Sequence, residues 1–366
     1  MKSKKLVIFM PSIEGGGVEK NLFIISNFLA LKLEKTKLIT ASRSYNKKFS
    51  NLKIINPSLN VEKFKHRRLK YLFCLIELIK ILILNRDYVV FAFQANLYCA
   101  VICKIFGVKV IVRSNSSPSG WALTPFRKTI FKIFLKIPDR IIVNSFEFKN
   151  EYKKLFNINT YCIYNPLNKE EIIKKSKKKI NFKYFKNFKK LKIVFIGRLV
   201  DQKDPITFIK ALNILKDILP FRTLIIGKGI LKGRMTKYIS KNKLSKNIKF
   251  LNWKENPYNY LKCSDILVLT SKYEGLPNVL LEAISLKKFV ISTRCKTGPA
   301  EILDNGKGGF LFKVGNYKEL ADKIISYSKS KKLCRLKVIY AFKRLNRFNL
   351  NNNLKLYLNI ISKELN

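Results

Sequence analysis

The 366-residue chain has one histidine, His66, in Lys63-Phe64-Lys65-His66-Arg67-Arg68. Histidine-based nucleophile triads and histidine metal sites therefore have nothing to work with. No Asp-x-Asp pair occurs, so the usual carboxylate clamp for a metal-bound nucleotide sugar is missing. Any phosphate chemistry is expected to be metal-independent. The seven cysteines, Cys74, Cys99, Cys103, Cys162, Cys263, Cys295 and Cys334, are an odd number with no Cys-x-x-Cys spacing. They read as reduced core thiols of a cytosolic protein, not a disulfide framework or zinc site. Long apolar runs are also absent. The longest, Tyr71 to Leu84, is broken by Glu77 and Lys80 and falls short of the roughly 20 residues that span a bilayer. The segment Met1 to Pro11 has too short an apolar core for a secretory signal and reads as a first strand. Acids are scarce, with 23 Asp and Glu against 74 Lys and Arg, a formal charge of +51. Such a field favours nucleic acid, an anionic membrane face or a phosphorylated substrate without choosing among them. Much of the Lys is scattered singly among Asn, Ile and Phe, as composition bias would leave it.

What is present is a chain that should fold: 47% hydrophobic residues give two domains enough apolar side chain for a core each. The first half alternates strand and helix patterns. Strands are expected at Leu6–Met10, Lys37–Ala41, Tyr88–Phe93, Val108–Val112 and Arg140–Val143. Helices are expected from Val18 to about Leu33 and near Leu69–Leu84, Asn96–Phe106, Phe126–Leu135 and Ser145–Phe156. Nine lysines and no acid between Lys174 and Lys190 mark a solvated linker. A second alternation follows, with strands at Leu191–Ile196, Thr223–Ile226, Ile248–Leu251, Ile266–Leu269 and Phe289–Ser292. Its helices lie near Pro205–Lys216, Leu231–Lys241, Asn256–Leu261, Asn278–Leu286 and Lys318–Ser328, and helical patterns at Leu333–Phe342 and Asn353–Leu365 end the chain. The fold class is α/β, with two doubly wound, Rossmann-like domains facing each other across a cleft. The expected boundaries are 1–170, a linker at 171–190, 191–342, and a C-terminal segment at 343–366.

The stretch the chain is organised around is Ser271-Lys272-Tyr273-Glu274-Gly275-Leu276-Pro277-Asn278-Val279-Leu280-Leu281-Glu282-Ala283. It follows a buried-strand pattern, and Pro277 suits the first position of a helix. Carboxylates at Glu274 and Glu282, beside a helix N-terminus that favours anions, suggest a ligand with both hydroxyls and phosphate. A dipole-favouring acid and a solvated acid would look the same. Gly15-Gly16-Gly17 between the first strand and its helix allows close backbone approach to a ligand, or simply a tight turn. Arg198 and Lys203, after the first strand of the second half, could converge on a diphosphate, or be two surface cations. Gly227-Lys228-Gly229 with Gly233 misses the dinucleotide pattern by one residue, and Lys249 stands where a ribose-binding acid is wanted.

Together these motifs resemble the retaining GT-B glycosyltransferases of family 4, the glycosyl transferases group 1. The Glu-x7-Glu stretch is the most specific of them, and their order spans nearly the whole chain. The resemblance implies that Gly16 and Gly17 touch the diphosphate or donor sugar and that Arg198 and Lys203 hold the diphosphate. It implies Glu274 at the reacting sugar as the catalytic residue, Gly275, Leu276, Pro277, Asn278 and Val279 at the phosphates, and Glu282 on the ribose. The loop Asn252 to Pro257 would read the base, and the final helix, after Arg347-Phe348-Asn349, would pack back on the first domain. One departure is Phe93-Gln94-Ala95-Asn96, where many members carry a histidine near the sugar. Gln94 can still donate a hydrogen bond, and Arg113 and Asn115 are further sugar or acceptor contacts. The implied activity is metal-independent, retaining transfer of a hexose or N-acetylhexosamine from a nucleotide sugar, expected to be UDP-linked. The acceptor would be a glycan or lipid-linked oligosaccharide, lipopolysaccharide or capsule, with no separate cofactor.

Lys63–Lys70 followed by Tyr71–Leu84 would suit docking on an anionic membrane, giving a cytoplasmic enzyme peripheral to the inner face. A buried helix with a basic lead-in fits as well. The alternatives are a nucleic-acid binder using Phe182, Tyr184, Phe185 and Phe188 among the lysines, a two-carboxylate glycosidase, and a nucleotide-sugar binder without activity. No specific nucleic acid partner is expected.

Overall fold

The computed structural model describes residues 5–64, 66–115, 118, 124–180 and 182–365. Met1–Lys4 of the first-strand reading, Lys65 of the basic lead-in and Asn181 of the lysine run lie outside these. The chain divides into two units, Met1–Pro166 with Leu350–Asn366, and Leu167–Asn349.

Unit 1 runs β1 (Lys5–Phe9), α1 (Gly17–Lys32), β2 (Lys37–Ile39), β3 (Lys53–Ile55), α2 (Arg67–Leu84), β4 (Tyr88–Ala92), α3 (Asn96–Ile105), β5 (Lys109–Arg113), α4 (Pro125–Phe134), β6 (Arg140–Val143), α5 (Phe146–Phe156) and β7 (Tyr161–Cys162). Its seven strands form one parallel sheet in the order β3-β2-β1-β4-β5-β6-β7. Unbroken apolar runs such as Leu6–Phe9 and Tyr88–Ala92 suit strands buried on both faces. Val7 and Phe9 face one core with Cys74 and Leu78 of α2, Cys99 and Cys103 of α3, and Phe148 of α5. Leu6 and Ile8 face the other, with Leu22 and Ile25 of α1. The order reverses between β1 and β4, which puts the loops after these strands at a switch point.

Unit 2 runs α6 (Lys169–Ser176), β8 (Leu191–Ile196), α7 (Pro205–Leu215), β9 (Phe221–Ile226), α8 (Lys232–Lys241), β10 (Ile248–Leu251), α9 (Tyr258–Lys262), β11 (Ile266–Leu269), α10 (Asn278–Ser285), β12 (Phe289–Thr293), α11 (Pro299–Ile302), β13 (Phe310–Phe312), α12 (Tyr317–Lys329) and α13 (Lys331–Arg344). Its six parallel strands take the order β10-β9-β8-β11-β12-β13, so the reversal falls between β8 and β11. The strands missing from the sequence pattern, β3, β7 and β13, are two or three residues long. No periodicity can develop over that length.

Residues 171–190 are not a solvated linker. Lys169–Ser176 is a helix packed against α9 and α10, and Ile172 and Phe185 are buried. Phe182 meets the ring of Tyr260 edge-on at 5.1 Å, and the Arg222 guanidinium lies 4.5 Å from the Phe188 centroid and donates to the Tyr184 carbonyl at 2.6 Å. The lysines occupy the outward positions while the apolar residues between them turn inward, so charge density misplaces the boundary. The four rings offered for base stacking are used in this packing.

The last helix, α14 (Leu350–Leu365), belongs to unit 1. Leu354, Tyr357 and Ile361 close the core that holds Leu6 and Ile8. Glu364 fixes its far end, pairing with Lys109 at 3.0 Å and Arg140 at 2.8 Å. Burial pushes the Glu364 carboxyl up, but these two cations overcome it and the net shift is downward. A lowered folded-state pKa contributes stability above the unfolded value, lost as pH falls through the folded one. Glu364→Gln should therefore cost about 1 kcal/mol in urea unfolding near pH 7, and the gap to the parent should close below about pH 4. A gap that persists in acid would assign the loss to packing.

Candidate functional site

In unit 2 the switch point brings two loops side by side, Gly197–Asp204 after β8 and Ser271–Pro277 after β11. Four hydrogen bonds to backbone carbonyls clamp them. The Lys272 N–H donates to the Gln202 carbonyl at 2.9 Å, the Gln202 side chain to the Tyr273 carbonyl at 3.2 Å, and the Thr270 hydroxyl to the Lys203 and Asp204 carbonyls at 2.8 Å. Across this clamp Lys203 Nζ reaches Glu274 Oε1 at 2.5 Å, and the Ser271 hydroxyl donates to the same oxygen at 2.6 Å. The Glu274 side chain is only 7% exposed and that of Lys203 17%. Arg198 stays exposed beside them, with NH2 3.1 Å from Gln202 Oε1.

The next strand end buttresses the carboxylate loop. Thr297 donates to the Glu274 carbonyl at 2.5 Å and Thr293 to the Ser271 carbonyl at 2.7 Å. Gly298 has φ 88°, and a Cβ there would stand 2.0 Å from the Gly275 carbonyl oxygen. Only glycine satisfies both constraints. Cys295 lies in the same loop. Burial first, and the Glu274 charge second, push its thiol up to about 12, so it remains protonated. Gly227 and Gly229 have a related task. A Cβ at Gly227 would be 1.9 Å from the Gly197 carbonyl oxygen and one at Gly229 2.3 Å from that of Leu199. Their Gly-x-Gly spacing serves the stacking of one loop on the next.

Gly275 and Leu276 lead into α10, whose N-cap is Pro277, with ψ 104°, and whose first helical residues are Asn278 and Val279. Pro277 thus stands one position before the helix proper, because its backbone is extended. Pro277 itself makes no side-chain cap, and the positive end of the helix dipole lies at this turn. Glu282, one turn in, is buried and lies 3.3 Å from the Tyr258 hydroxyl. The loop before α9 exposes Trp253 and ties Asn256 to the Lys175 carbonyl at 3.0 Å. The sequence pattern gives no role to Gln202, Tyr258, Ser271 or Thr297. The Gly298-Pro299 pair before a short helix was the one local signal available.

The remaining predicted residues are in unit 1. Gly16 is the N-cap of α1 and Gly17 its first residue. Glu19 folds back over this turn and accepts from the Glu14 N–H at 3.3 Å. Gln94 Oε1 accepts from the Ser12 N–H at 2.9 Å, joining the loops after β1 and β4. Arg113 is fully buried and its contacts are internal: Nε to the Tyr357 hydroxyl at 2.9 Å, NH2 to Asn165 Oδ1 at 2.6 Å and NH1 to Asn115 Oδ1. Asn115 in turn donates to the Phe93 carbonyl at 2.7 Å. Among the described residues, no three His, Cys, Asp or Glu side chains are grouped to hold a metal ion.

Residues 176–344 match the family model for glycosyl transferases group 1. Unit 2 carries a glycosyl transferases group 1 domain. That domain contains the loops after β8, β11 and β12 and the whole of α10. An uncharacterized glycosyltransferase of Methanocaldococcus jannaschii is 38% identical over 180 residues, which is 47% of this chain and 44% of that protein. The chain thus spans less than half of that relative. The Campylobacter jejuni N-acetylgalactosamine-N,N'-diacetylbacillosaminyl-diphospho-undecaprenol 4-alpha-N-acetylgalactosaminyltransferase is 26% identical, over 86% of this chain and 87% of that one. Anabaena HepE, solved with UDP and glucose, superposes with a TM-score of 0.78 at 15% identity, over 98% of this chain and 100% of that one. This likeness gives the fold, two Rossmann-like parallel-sheet domains of the GT-B kind.

Gly298→Ala should lower stability by about 2–3 kcal/mol in denaturant unfolding. Gly233→Ala, within α8 and with no atom within 4 Å of its added Cβ, should be neutral or stabilising by about 0.5–1 kcal/mol. Equal effects would remove the steric role assigned to Gly298.

Proposed function

We propose that the protein is a retaining, metal-independent glycosyltransferase of family 4 that moves a hexose or N-acetylhexosamine from a UDP-linked donor. The acceptor is a growing glycan of the lipid-linked oligosaccharide, lipopolysaccharide or capsule type, and the enzyme works at the cytoplasmic face of the membrane as a peripheral protein. The observation that carries this reading is the buried Lys203–Glu274 pair beside Arg198 and the N-terminal end of α10, inside the glycosyl transferases group 1 domain. The Campylobacter relative, by its name, acts on an undecaprenol-linked acceptor, and HepE is solved with UDP and glucose. Both support the choice of donor and acceptor class.

The chemistry follows from the charges. As the bond between the anomeric carbon and the diphosphate oxygen breaks, negative charge gathers on the leaving diphosphate and positive charge at the sugar. Arg198, Lys203 and the N–H groups of Gly275, Leu276, Asn278 and Val279 answer the first without a metal. An arriving diphosphate competes with Glu274 for the Lys203 ammonium. Glu274, released in part and still held at Oε1 by Ser271, takes the sugar hydroxyls. Glu282, with Tyr258, takes the ribose hydroxyls. Gly16 and Gly17 are read as diphosphate or sugar contacts, and Gln94 and Asn115 as sugar or acceptor contacts. Arg113, fully buried, acts there by positioning Asn115.

A thermal-shift screen of nucleoside diphosphates and their sugars tests the donor. UDP or a UDP-sugar at about 100 times its Kd should stabilise the protein by about 2.7 kcal/mol, and Glu282→Ala and Arg198→Ala should lose most of that shift. With an acceptor in hand, Lys203→Ala should lower kcat by about 10²-fold, and NMR of the product should show the donor's anomeric configuration. If no nucleotide stabilises the protein, or both variants respond as the parent does, the reading fails.

A further inference from the structure

Helix α2 is apolar on two sides. Cys74, Leu78 and Leu82 point into the core of unit 1, as an amphipathic helix requires. Leu69, Leu72, Ile76 and Ile83, spaced by three, four and seven residues, form a second stripe that faces outward, with Leu72 53% and Ile83 64% exposed. Such a stripe on one helix is more than scattered surface leucines. Helix α4, whose Phe131 packs on the same core as α2 and α3, adds Phe126 and Ile133, 74% and 62% exposed. None of its residues is buried.

The charges on these helices are nearly all of one sign. Together α2, α3 and α4 carry Arg67, Arg68, Lys70, Lys80, Lys104, Arg127, Lys128 and Lys132 against one acid, Glu77. Glu77 is itself paired with Lys80 at 2.9 Å. Long cationic side chains flanking aliphatic stripes suit a bilayer interface, where the stems lie along apolar surface and the heads reach phosphate. A second copy of this chain would bring the same positive charge to the same face. A nucleic acid would meet on α2 the aliphatic stripe Leu69, Leu72, Ile76 and Ile83, which offers no ring for stacking. No described helix is long and apolar enough to cross a membrane, so the surface would lie on the bilayer.

We infer that the outward face of α2 is the surface by which unit 1 docks on a bilayer containing anionic lipids. This rests on the lipid-linked acceptor reading for its purpose, though not for its test. The docking face is the outer stripe Leu69, Leu72, Ile76 and Ile83, while the inner stripe belongs to the core. Helix α13 of unit 2 provides a control, since Leu336 and Ile339 are also exposed among Lys332, Arg335 and Lys343.

The experiment is vesicle sedimentation of the full chain without nucleotide, comparing zwitterionic vesicles with vesicles holding about a third anionic lipid. Leu72→Ser/Ile83→Ser should lower partitioning onto the anionic vesicles at least about tenfold, while Leu336→Ser/Ile339→Ser leaves it unchanged. Part of the parent's binding should survive about 0.5 M salt, where charge attraction alone is screened. Equal effects from the two pairs, no effect from the α2 pair, or complete loss at that salt would overturn the proposal in favour of diffuse charge. Light scattering showing a parent dimer that the α2 pair dissociates would assign the face to a second copy and overturn it too. Because no donor is present, failure here leaves the nucleotide-sugar reading untouched, and failure of the thermal-shift screen leaves this one untouched.

Discussion

The Lys203–Glu274 ion pair is the contact on which the geometry of unit 2 turns. Both residues are more than four-fifths buried, and removing one partner of such a pair strands a charge at a cost of about 3–5 kcal/mol. The pair spans the place where the strand order reverses, between β8 and β11. Everything around it serves to hold two loops close enough for that contact. The Thr270 and Gln202 hydrogen bonds clamp the loops from below, Ser271 shares the carboxylate, and Gly298 lets the third loop press against Gly275. A buried carboxylate held by a cation that a phosphate could also engage is a site poised for anions and hydroxyls together.

The large positive charge of the chain separates into distinct physical uses. In residues 171–190 the lysines are outward positions of a packed segment whose rings turn inward. Arg113 is fully buried with neutral partners, Tyr357, Asn115 and Asn165, and stands 5.6 Å from the Phe93 centroid. Full hydrogen bonding and a ring face lower the cost of burying it, and the result fastens α14 to the strand ends of unit 1. On α2 the cations border an exposed aliphatic stripe and on α4 exposed apolar side chains. Net charge alone could not distinguish these cases, because each depends on what lies next to the charge.

Much of the fold is legible in the amino-acid sequence. Strands such as Leu191–Ile196 and Ile266–Leu269 match their apolar runs to the residue, because an apolar run bounded by polar turns has few other ways to be buried. Helices α1 to α5 match the sequence pattern to within two residues, since their apolar spacing is the signal, while α14 begins three residues ahead of it. The two- and three-residue strands were not readable, nor was the true boundary at Leu167, which a run of lysines concealed.

The sequence by itself determined which residue types stand after which strands: glycines after β1, Arg198 and Lys203 after β8, Gln94 after β4, and Glu274 and Glu282 around α10. Strand order is a matter of long-range pairing that local pattern does not encode, so only the tertiary structure decided that β8 and β11 are neighbours. That adjacency converts a lysine and a glutamate 71 positions apart into one ion pair. It also gives Ser271, Thr297 and Tyr258 their parts, since a hydroxyl acquires a role only from the carboxylate or carbonyl that folding brings within hydrogen-bond reach.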